Sequence, residues 1–440
     1  MTPAHDDNSP HADHPADRRD ERADDAVQAG HSADATELPE LIGCTLEQAI
    51  EFAAAAGRPA GSARHAYRTL FRTGELPRST TWATTVERPI VRRHEEGVTT
   101  KFAQRLTPNP EDARIRPARL VPADDADGRA HTGGTARVDA SASGGATAPT
   151  RASGTAPAPA PAIPALETES VILPQRSRGH RDRISLCVSS QVGCAMGCGF
   201  CETAQMGRLR QLTPAEIVAQ WFAARHEFGT PIDNIVFMGM GEPMDNLDAV
   251  LPAIEILTGH DGPAIAASRI TVSTVGHAAG IRRLADFAAT PGRRRLNLAV
   301  SVNAPNDEIR DALMPINRGT PLDELMDAMR HWVTNVGARI LVEYVLIPGV
   351  NAELEHADEL VAQLGDLPAT INIIPYNPRR DSPWPAPTEP QVVAFVDRIA
   401  ARGRLVKRRR TMGRSVMGAC GQLGNPEIRQ RRFVPLGTGG

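Results

Sequence analysis

The sequence predicts an α/β protein whose main part is a partial barrel of six βα units. From Glu169 onward, short apolar runs rich in β-branched residues alternate with amphipathic helical stretches, which is the pattern of parallel βαβ units. Six such runs favour an open barrel over the closed eight-stranded form. With 41% hydrophobic residues, the chain has enough apolar side chains for a globular core if Gly, Pro and polar residues concentrate elsewhere.

Two segments are predicted to be disordered, and they hold much of the Gly, Pro and polar residues. Residues 1–36 are rich in Asp, His, Arg and Ala, and residues 112–165 consist largely of Ala, Pro, Gly, Ser and Thr. Neither has an amphipathic pattern, so neither buries enough surface to offset its ordering entropy. We expect a disordered tail and a low-complexity linker or insert.

Residues 37–111 are predicted to form a small, mostly helical N-terminal domain. Apolar residues recur at helical spacing over Leu46–Ala56 and again over Ala66–Phe71, after a Gly/Pro break. Thr99–Leu106 has the composition of a short strand. Cys44 lies in this domain without a partner in the sequence pattern, and we interpret it as a packing residue.

The barrel is predicted to span residues 166–403, followed by a basic C-terminal segment over residues 404–440. Helix starts carry capping signals, such as Thr213 before Pro214. The predicted strands are Ile184–Val188, Ile235–Met238, Ile270–Ser273, Leu296–Val302, Ile340–Ile347 and Ile371–Pro375. The predicted helices are Pro214–Phe228, Asp248–Leu257, Gly280–Ala288, Asp307–Leu313, Leu322–Val336, Leu354–Leu364 and Pro390–Arg402.

Unusual residues stand at the ends of several predicted strands. Parallel barrels carry their chemistry at the carboxyl ends of their strands. The residues in question are Gly239–Pro243, Ser273, Thr274, Asn303 and Asn377. We therefore expect the functional site at this edge of the barrel.

Three cysteines, Cys194, Cys198 and Cys201, form a C-x3-C-x2-C pattern after the first barrel strand. Six cysteines in 440 residues are too few for a disulfide scaffold, so this cluster indicates metal binding in a reducing compartment. Thiolates are soft ligands that suit iron–sulfur clusters or zinc. No fourth ligand follows at short spacing, which favours a four-iron cluster with one open iron. A structural zinc site and free thiols are the alternatives.

Charge and hydropathy exclude several classes of protein. The N-terminus lacks the basic and apolar regions of a secretory signal, and no run of about 18 apolar residues could form a transmembrane helix. The expected location is the cytoplasm. Because the formal net charge is −3, any contact with nucleic acid must come from a local basic patch.

Such a patch is present between Arg398 and Arg432. It includes the run Lys407–Arg410, and Arg414, Arg429 and Arg431 follow. A solvated charged surface is the ordinary interpretation of such a run. Contact with phosphates is the functional interpretation.

Several motifs resemble one family in the same order along the chain. They are CVSSQVGCAMGCGFC, NIVFMGMGEPMDN, ITVSTVGHAAGIRRLA, NAPNDEIRDALMPINR, EYVLIPGVN, IIPYNP and GACGQL. This part of the chain, about residues 169–424, resembles the RlmN/Cfr family of radical S-adenosylmethionine (SAM) RNA adenine methyltransferases. The resemblance implies that the predicted barrel is a partial (βα)6 radical-SAM barrel.

The resemblance also implies a role for each matching site residue. Cys194, Cys198 and Cys201 would hold a [4Fe-4S] cluster. Cys420 would carry a methyl group, and Cys187 would be its resolving partner. Glu169, before VILP, matches a proton-accepting glutamate. The residues that would bind SAM are Gly241, Glu242, Ser273, Ser301, Val302, Asn303 and Asn377.

Most of these residues also have a plain structural interpretation. Cys187 could be a buried strand residue, and Cys420 stands between small residues that permit close backbone approach. Glu169 and Glu242 could be ordinary loop carboxylates. The two asparagines of the SAM set, Asn303 and Asn377, could cap strand ends. Asn303 also departs from the family, which usually has His in this segment.

The implied activity is methylation of an adenine ring carbon, C2, in 23S ribosomal RNA or in transfer RNA. Adenine C2 is not nucleophilic, so the family's route passes through methylated Cys420, a covalent RNA adduct and a Cys187–Cys420 disulfide. An electron donor such as flavodoxin or ferredoxin would be a partner. The alternatives are a radical-SAM enzyme with another substrate or C8 specificity, and an RNA-binding homologue without turnover.

Overall fold

A computed structural model describes residues 41–76, 92–96, 99–106, 166–175, 182–414 and 417–425. They all belong to one compact unit, Leu38–Gly440. The segments predicted to be disordered, residues 1–36 and 112–165, lie outside the described residues.

Twelve strands occur in the described part of the chain. They are β1 (Arg92–Glu96), β2 (Thr99–Arg105), β3 (Glu167–Gln175), β4 (Arg183–Cys187), β5 (Gln191–Gly193), β6 (Arg208–Gln211), β7 (Asn234–Phe237), β8 (Ile270–Thr274), β9 (Asn297–Ser301), β10 (Ile340–Leu346), β11 (Ala369–Pro375) and β12 (Val406–Arg408).

Ten of these strands form one sheet in the order β1-β2-β3-β4-β7-β8-β9-β10-β11-β12, and β5 pairs with β6 in a separate hairpin. Every neighbouring pair from β4 to β12 is parallel. The six predicted barrel strands are therefore confirmed as β4 and β7–β11. The strands β1, β2 and β3 extend the sheet in antiparallel fashion.

Ten α-helices occur among the described residues. They are α1 (Leu46–Ala55), α2 (Ala60–Thr73), α3 (Glu202–Gln205), α4 (Pro214–Phe222), α5 (Leu247–Thr258), α6 (Ala278–Ala288), α7 (Asp307–Leu313), α8 (Leu322–Val336), α9 (Leu354–Leu364) and α10 (Glu389–Ala401).

The seven predicted barrel helices are confirmed as α4–α10. Thr213 caps α4 in a capping box with Glu216, and a π-helical turn over Ala223–Glu227 continues this helix to the predicted end. In the N-terminal region, α2 begins six residues before the predicted Ala66 and ends at Gly74, which has a left-handed φ of 79°. A left-handed residue at this position is a common helix stop.

The N-terminal helices share one hydrophobic core with the barrel. Tyr67 and Phe71 of α2 are buried, and the Phe71 ring lies 6.2 Å from the ring of Trp221 on α4. Cys44 is also buried in this core, as its packing interpretation predicts. None of the described helices is long and apolar enough to span a bilayer.

Candidate active site

A cavity lies at the carboxyl ends of the parallel strands and brings most of the predicted site residues together. Eleven of them line it: Cys187, Cys194, Cys198, Cys201, Gly241, Glu242, Ser273, Ser301, Asn303, Asn377 and Cys420. Two predicted residues do not line this cavity. Glu169 lies in strand β3, and the Val302 side chain is fully buried in the core.

The three clustered cysteines begin directly after β5, and all face the cavity. Burial raises the pKa of each thiol. Metal binding must therefore displace their protons, because the thiolate is the ligand. In the described residues, no three His, Cys, Asp or Glu side chains converge on a single ion. Three soft thiolates lining one cavity fit the ligand set of a [4Fe-4S] cluster.

The loop after β7 holds a buried carboxylate opposite these cysteines. Glu242 is 1% exposed, and its two oxygens accept backbone N–H bonds from Met244 at 3.1 Å and Val275 at 2.9 Å. Burial raises the pKa of Glu242 to about 7 despite these hydrogen bonds. Gly241 has a φ of 98°, and a Cβ there would stand 2.6 Å from the Gln191 side chain, so only glycine fits.

The polar residues at the strand ends differ in whether their side chains already form hydrogen bonds within the protein. Ser273 is the last residue but one of β8, Ser301 ends β9, and both line the cavity. The Asn303 amide oxygen accepts the Val345 N–H at 2.8 Å, so this side chain does cap a neighbouring strand. Asn377 accepts a hydrogen bond from Arg414 at 3.2 Å. The two serines are therefore the stronger candidates for ligand contact.

The two thiols predicted to be catalytic are distant in sequence, and both line the cavity. Cys187 ends β4 and is 7% exposed, whereas Cys420 is exposed. Burial, and then the nearby Cys420, raise the pKa of Cys187 to about 12. All six cysteines of the chain are free thiols.

Arg409 and Glu343 also line this cavity, and neither was identified as a site residue from the sequence. An Arg409 guanidinium nitrogen lies 3.6 Å from Glu343 Oε1, which also accepts a hydrogen bond from Asn372. The other Glu343 oxygen is buried and has no hydrogen-bond partner among the described residues. Arg409 lowers the pKa of both Cys187 and Glu343, although burial raises each of them more strongly. An acid inside the apolar run ILVEYVL was the signal that could have revealed Glu343.

The basic segment is thus divided between two environments. Arg409 lies at the cavity, and Arg408 forms an ion pair with Glu389. Lys407 and Arg410 are exposed. The predicted basic residues beyond residue 425 lie outside the described part of the chain.

Glu169 forms polar contacts away from the cavity lining. Its Oε1 lies 2.6 Å from Lys101 Nζ, and its Oε2 accepts the Gly424 N–H at 2.8 Å. Burial raises the pKa of Glu169, and Lys101 opposes this increase. Glu169 is therefore not the solvated carboxylate of its structural interpretation, and it lies next to the segment that carries Cys420.

Comparison with known proteins shows which sequences and structures are similar to this chain. Residues 188–361 match the Radical SAM superfamily. The chain is 44% identical over 270 residues to a probable dual-specificity RNA methyltransferase RlmN 1 from Protochlamydia amoebophila, covering 61% of this chain and 73% of the relative. It is 44% identical over 263 residues to the dual-specificity RNA methyltransferase RlmN from Anaeromyxobacter sp., covering 58% and 67%.

A solved structure is similar in fold as well. It is the crystal structure of a radical SAM methyltransferase from Sphaerobacter thermophilus, with a TM-score of 0.68 and 31% sequence identity. The alignment covers 87% of this chain and 98% of that one.

Proposed function

We propose that this chain methylates C2 of an adenine in RNA through Cys420. The premise is that the chain belongs to the RlmN family of radical-SAM RNA methyltransferases. The enzyme uses a [4Fe-4S] cluster and SAM. One observation carries the proposal: Cys187 and Cys420 line the same cavity as the three clustered cysteines. We propose ribosomal RNA as the substrate, with transfer RNA as the second one, in keeping with the dual specificity that the relatives' names state.

Different cavity residues are proposed to bind the cluster and SAM. Cys194, Cys198 and Cys201 would bind the cluster, which together with SAM supplies the electron and the radical chemistry that an unreactive adenine carbon requires. Glu242 would accept hydrogen bonds from the amino end of SAM. The remaining SAM contacts are assigned to Gly241, Ser273, Ser301, Asn303 and Asn377, which line the cavity. Val302, the other predicted SAM residue, does not line it and is left out of this set.

Cys420 is proposed as the carbon carrier. Its exposed sulfur can accept a methyl group and then present that carbon to an adenine at the cavity. Loss of one hydrogen atom from the Cys420 methyl group, which the SAM-derived radical would take up, would free a bond on that carbon for adenine C2. The C2 hydrogen then leaves as a proton and the unpaired electron would return to the oxidised cluster, so that the RNA is covalently attached to the protein. Glu169, beside the Cys420 segment, is assigned as the acceptor of the C2 proton.

Cys187 is proposed to release the product. Its thiolate attacks the Cys420 sulfur, an S–S bond forms, and the bond from Cys420 sulfur to the methylene carbon breaks. The electron pair of that bond stays on carbon, which takes up a proton and becomes the methyl group. Arg409 would favour the Cys187 thiolate. A reductant must then supply two electrons and two protons to restore both thiols, the state seen in the structure.

RNA is proposed to bind at the mouth of the cavity. The exposed cations Lys407 and Arg410 lie two residues before and one residue after Arg409, which lines the cavity. A single-stranded or easily unpaired adenine is favoured, because the base must leave its stack to reach the thiols. We also propose a flavodoxin or ferredoxin as electron donor, and the cytoplasm as location because five reactive thiols need a reducing compartment.

Substitution of each thiol tests the two-cysteine route. Cys187→Ala should trap a covalent protein–RNA adduct, because the RNA can be attacked but not released. Cys420→Ala should form no adduct, and the double variant should behave like Cys420→Ala because the earlier step is blocked. The assay is a denaturing gel with labelled RNA after anaerobic reaction with SAM and reductant, with nuclease treatment to identify the adduct. Cys44→Ala is the matched control, since this thiol is buried in the core and does not line the cavity.

Full turnover by Cys187→Ala would contradict the proposal, as would an adduct in Cys420→Ala. The first result would favour a radical-SAM enzyme with another chemistry. The absence of both turnover and adduct in every variant and in the wild-type enzyme would favour an RNA-binding homologue.

A further inference from the structure

The segment that carries Cys420 is held near both of its ends by one ion pair. Lys101 Nζ lies 2.6 Å from Glu169 Oε1 and donates to the Met417 carbonyl oxygen at 3.2 Å. The other Glu169 oxygen accepts the Gly424 N–H at 2.8 Å. Cys420 therefore lies between two attachment points, three residues after one and four residues before the other.

The strand register explains why these two charged side chains meet. In the antiparallel pair β2–β3, Lys101 stands opposite Val171, and Glu169 stands opposite Ala103. Lys101 and Glu169 are thus diagonal neighbours on one face of the sheet, a separation that a long lysine side chain spans. Their side chains are only 9% and 16% exposed, so solvent screens this pair less than a surface pair.

The Cys420 segment depends on such contacts because residues 417–425 contain no helix or strand. The middle of the segment is bound to α3, directly after Cys201. There the Glu202 N–H donates to the Gly421 carbonyl at 2.7 Å, and the Thr203 hydroxyl donates to the Leu423 carbonyl at 2.6 Å. The ends are bound to β2 and β3 through Lys101 and Glu169.

We propose that Lys101 is a positioning residue for the methyl-carrying cysteine: it binds Met417 directly and Gly424 through Glu169, and thereby places Cys420 at the cavity. The proposal rests on the proposed function, in which Cys420 carries the methyl group. Loss of the ammonium removes the side-chain contact that ties the Met417 end to β2 and leaves only local backbone hydrogen bonds from Met417 to Arg414 and from Gly418 to Gly413. It also leaves Glu169 as an unpaired buried carboxylate, which favours protonation and weakens the Gly424 contact at the other end.

The test compares Lys101→Met, which keeps the length but removes the charge, with Lys101→Arg, which keeps the charge. Arg105→Met is the matched control, because Arg105 is an exposed cation on the same strand. Hydrogen–deuterium exchange of residues 417–424 measures the order of the segment. Iron content and SAM cleavage without RNA measure the cluster site, and adduct yield in the Cys187→Ala background measures the placement of Cys420.

Lys101→Met should raise exchange over residues 417–424 and lower adduct yield by about tenfold or more, because small misplacements of reacting groups are costly. Iron content and SAM cleavage should stay at wild-type levels. Lys101→Arg should recover most of the adduct, and Arg105→Met should match the unmodified enzyme. If Lys101→Met does not fold, Lys101→Gln replaces it under the same criteria.

Wild-type exchange and adduct yield in Lys101→Met would overturn the inference. Loss of iron and SAM cleavage together with the adduct would also overturn it, because that result means general damage. Failure of the proposed function is distinct: Cys187→Ala with Lys101 intact would then form no adduct, whereas the exchange measurement would still report on the Lys101 contacts.

Discussion

Arg310 provides a sharp test of how the fold supports the site, because its guanidinium is fully buried and connects two strand ends. One terminal nitrogen donates to the Val275 carbonyl at 2.6 Å, and Nε donates to the Val302 carbonyl at 3.2 Å. The other terminal nitrogen donates to the Asn317 amide oxygen at 2.6 Å and the Thr320 carbonyl at 3.3 Å. Val275 and Val302 follow β8 and β9, the strands whose ends lie at the cavity.

The expected cost of Arg310→Met follows from these four bonds. Each acceptor that loses its partner costs about 1–1.5 kcal/mol, which gives about 4–6 kcal/mol in total. Part of this is recovered because the variant has no guanidinium to desolvate. The net loss in free energy of unfolding should be about 3 kcal/mol. Arg330→Met, which breaks an exposed pair with Asp327, should cost less than about 0.5 kcal/mol.

Urea unfolding under anaerobic conditions, followed by circular dichroism, measures both variants against the wild-type enzyme. Arg310→Met should also weaken SAM binding, because Val275 donates its N–H to Glu242 while its carbonyl is held by Arg310. Equal stability of the Arg310 and Arg330 variants would refute the reasoning. A loss of stability in Arg310→Met with unchanged SAM affinity would refute the proposed connection between Arg310 and SAM binding.

Two further predictions concern the thiols and the basic segment. In iodoacetamide labelling at about pH 8, exposed Cys420 should react well before Cys187. The pKa of Cys187 is about 12, so its thiolate fraction at this pH is about 0.0001. Labelling of Cys187 should rise about tenfold per pH unit up to about pH 12, and mass spectrometry that finds equal rates would contradict this assignment. Arg410→Gln should reduce the salt dependence of RNA binding by about one counterion, whereas Arg408→Gln, whose cation pairs with Glu389, should change it less. If a filter-binding titration gives Arg410→Gln the same slope of log affinity against log salt concentration as the wild-type enzyme, Arg410 lies outside the RNA interface.

Periodicity and short spacing predicted the barrel well, because both depend on residues close in sequence. The helices Asp307–Leu313, Leu322–Val336 and Leu354–Leu364 have the predicted bounds. The C-x3-C-x2-C pattern likewise indicated a cavity ligand set that the fold brings to one place. The three-residue strand β12 was missed, because it is short and mostly polar.

Contacts between distant parts of the chain could not be predicted in this way. Lys101 binds Met417, which is 316 residues later, and no local pattern indicates that pairing. The position of Arg409 depends on the pairing of β12 with β11, which turns one residue of a uniform basic run toward the cavity. In both cases tertiary contacts decide which of several similar cations lies beside the Cys420 segment or at the cavity.

The central claim, that the new methyl carbon passes through Cys420, is tested most directly by isotope transfer. The enzyme reacts over several turnovers with RNA and SAM whose methyl group is fully deuterated, and the RNA is digested to nucleosides for mass spectrometry. Hydrogen abstraction from the Cys420 methyl group removes one deuterium, and release by Cys187 adds one proton from water. The account therefore predicts a product that co-elutes with 2-methyladenosine and retains two deuterium atoms. A product that retains all three deuterium atoms would mean direct methyl transfer and would contradict the account.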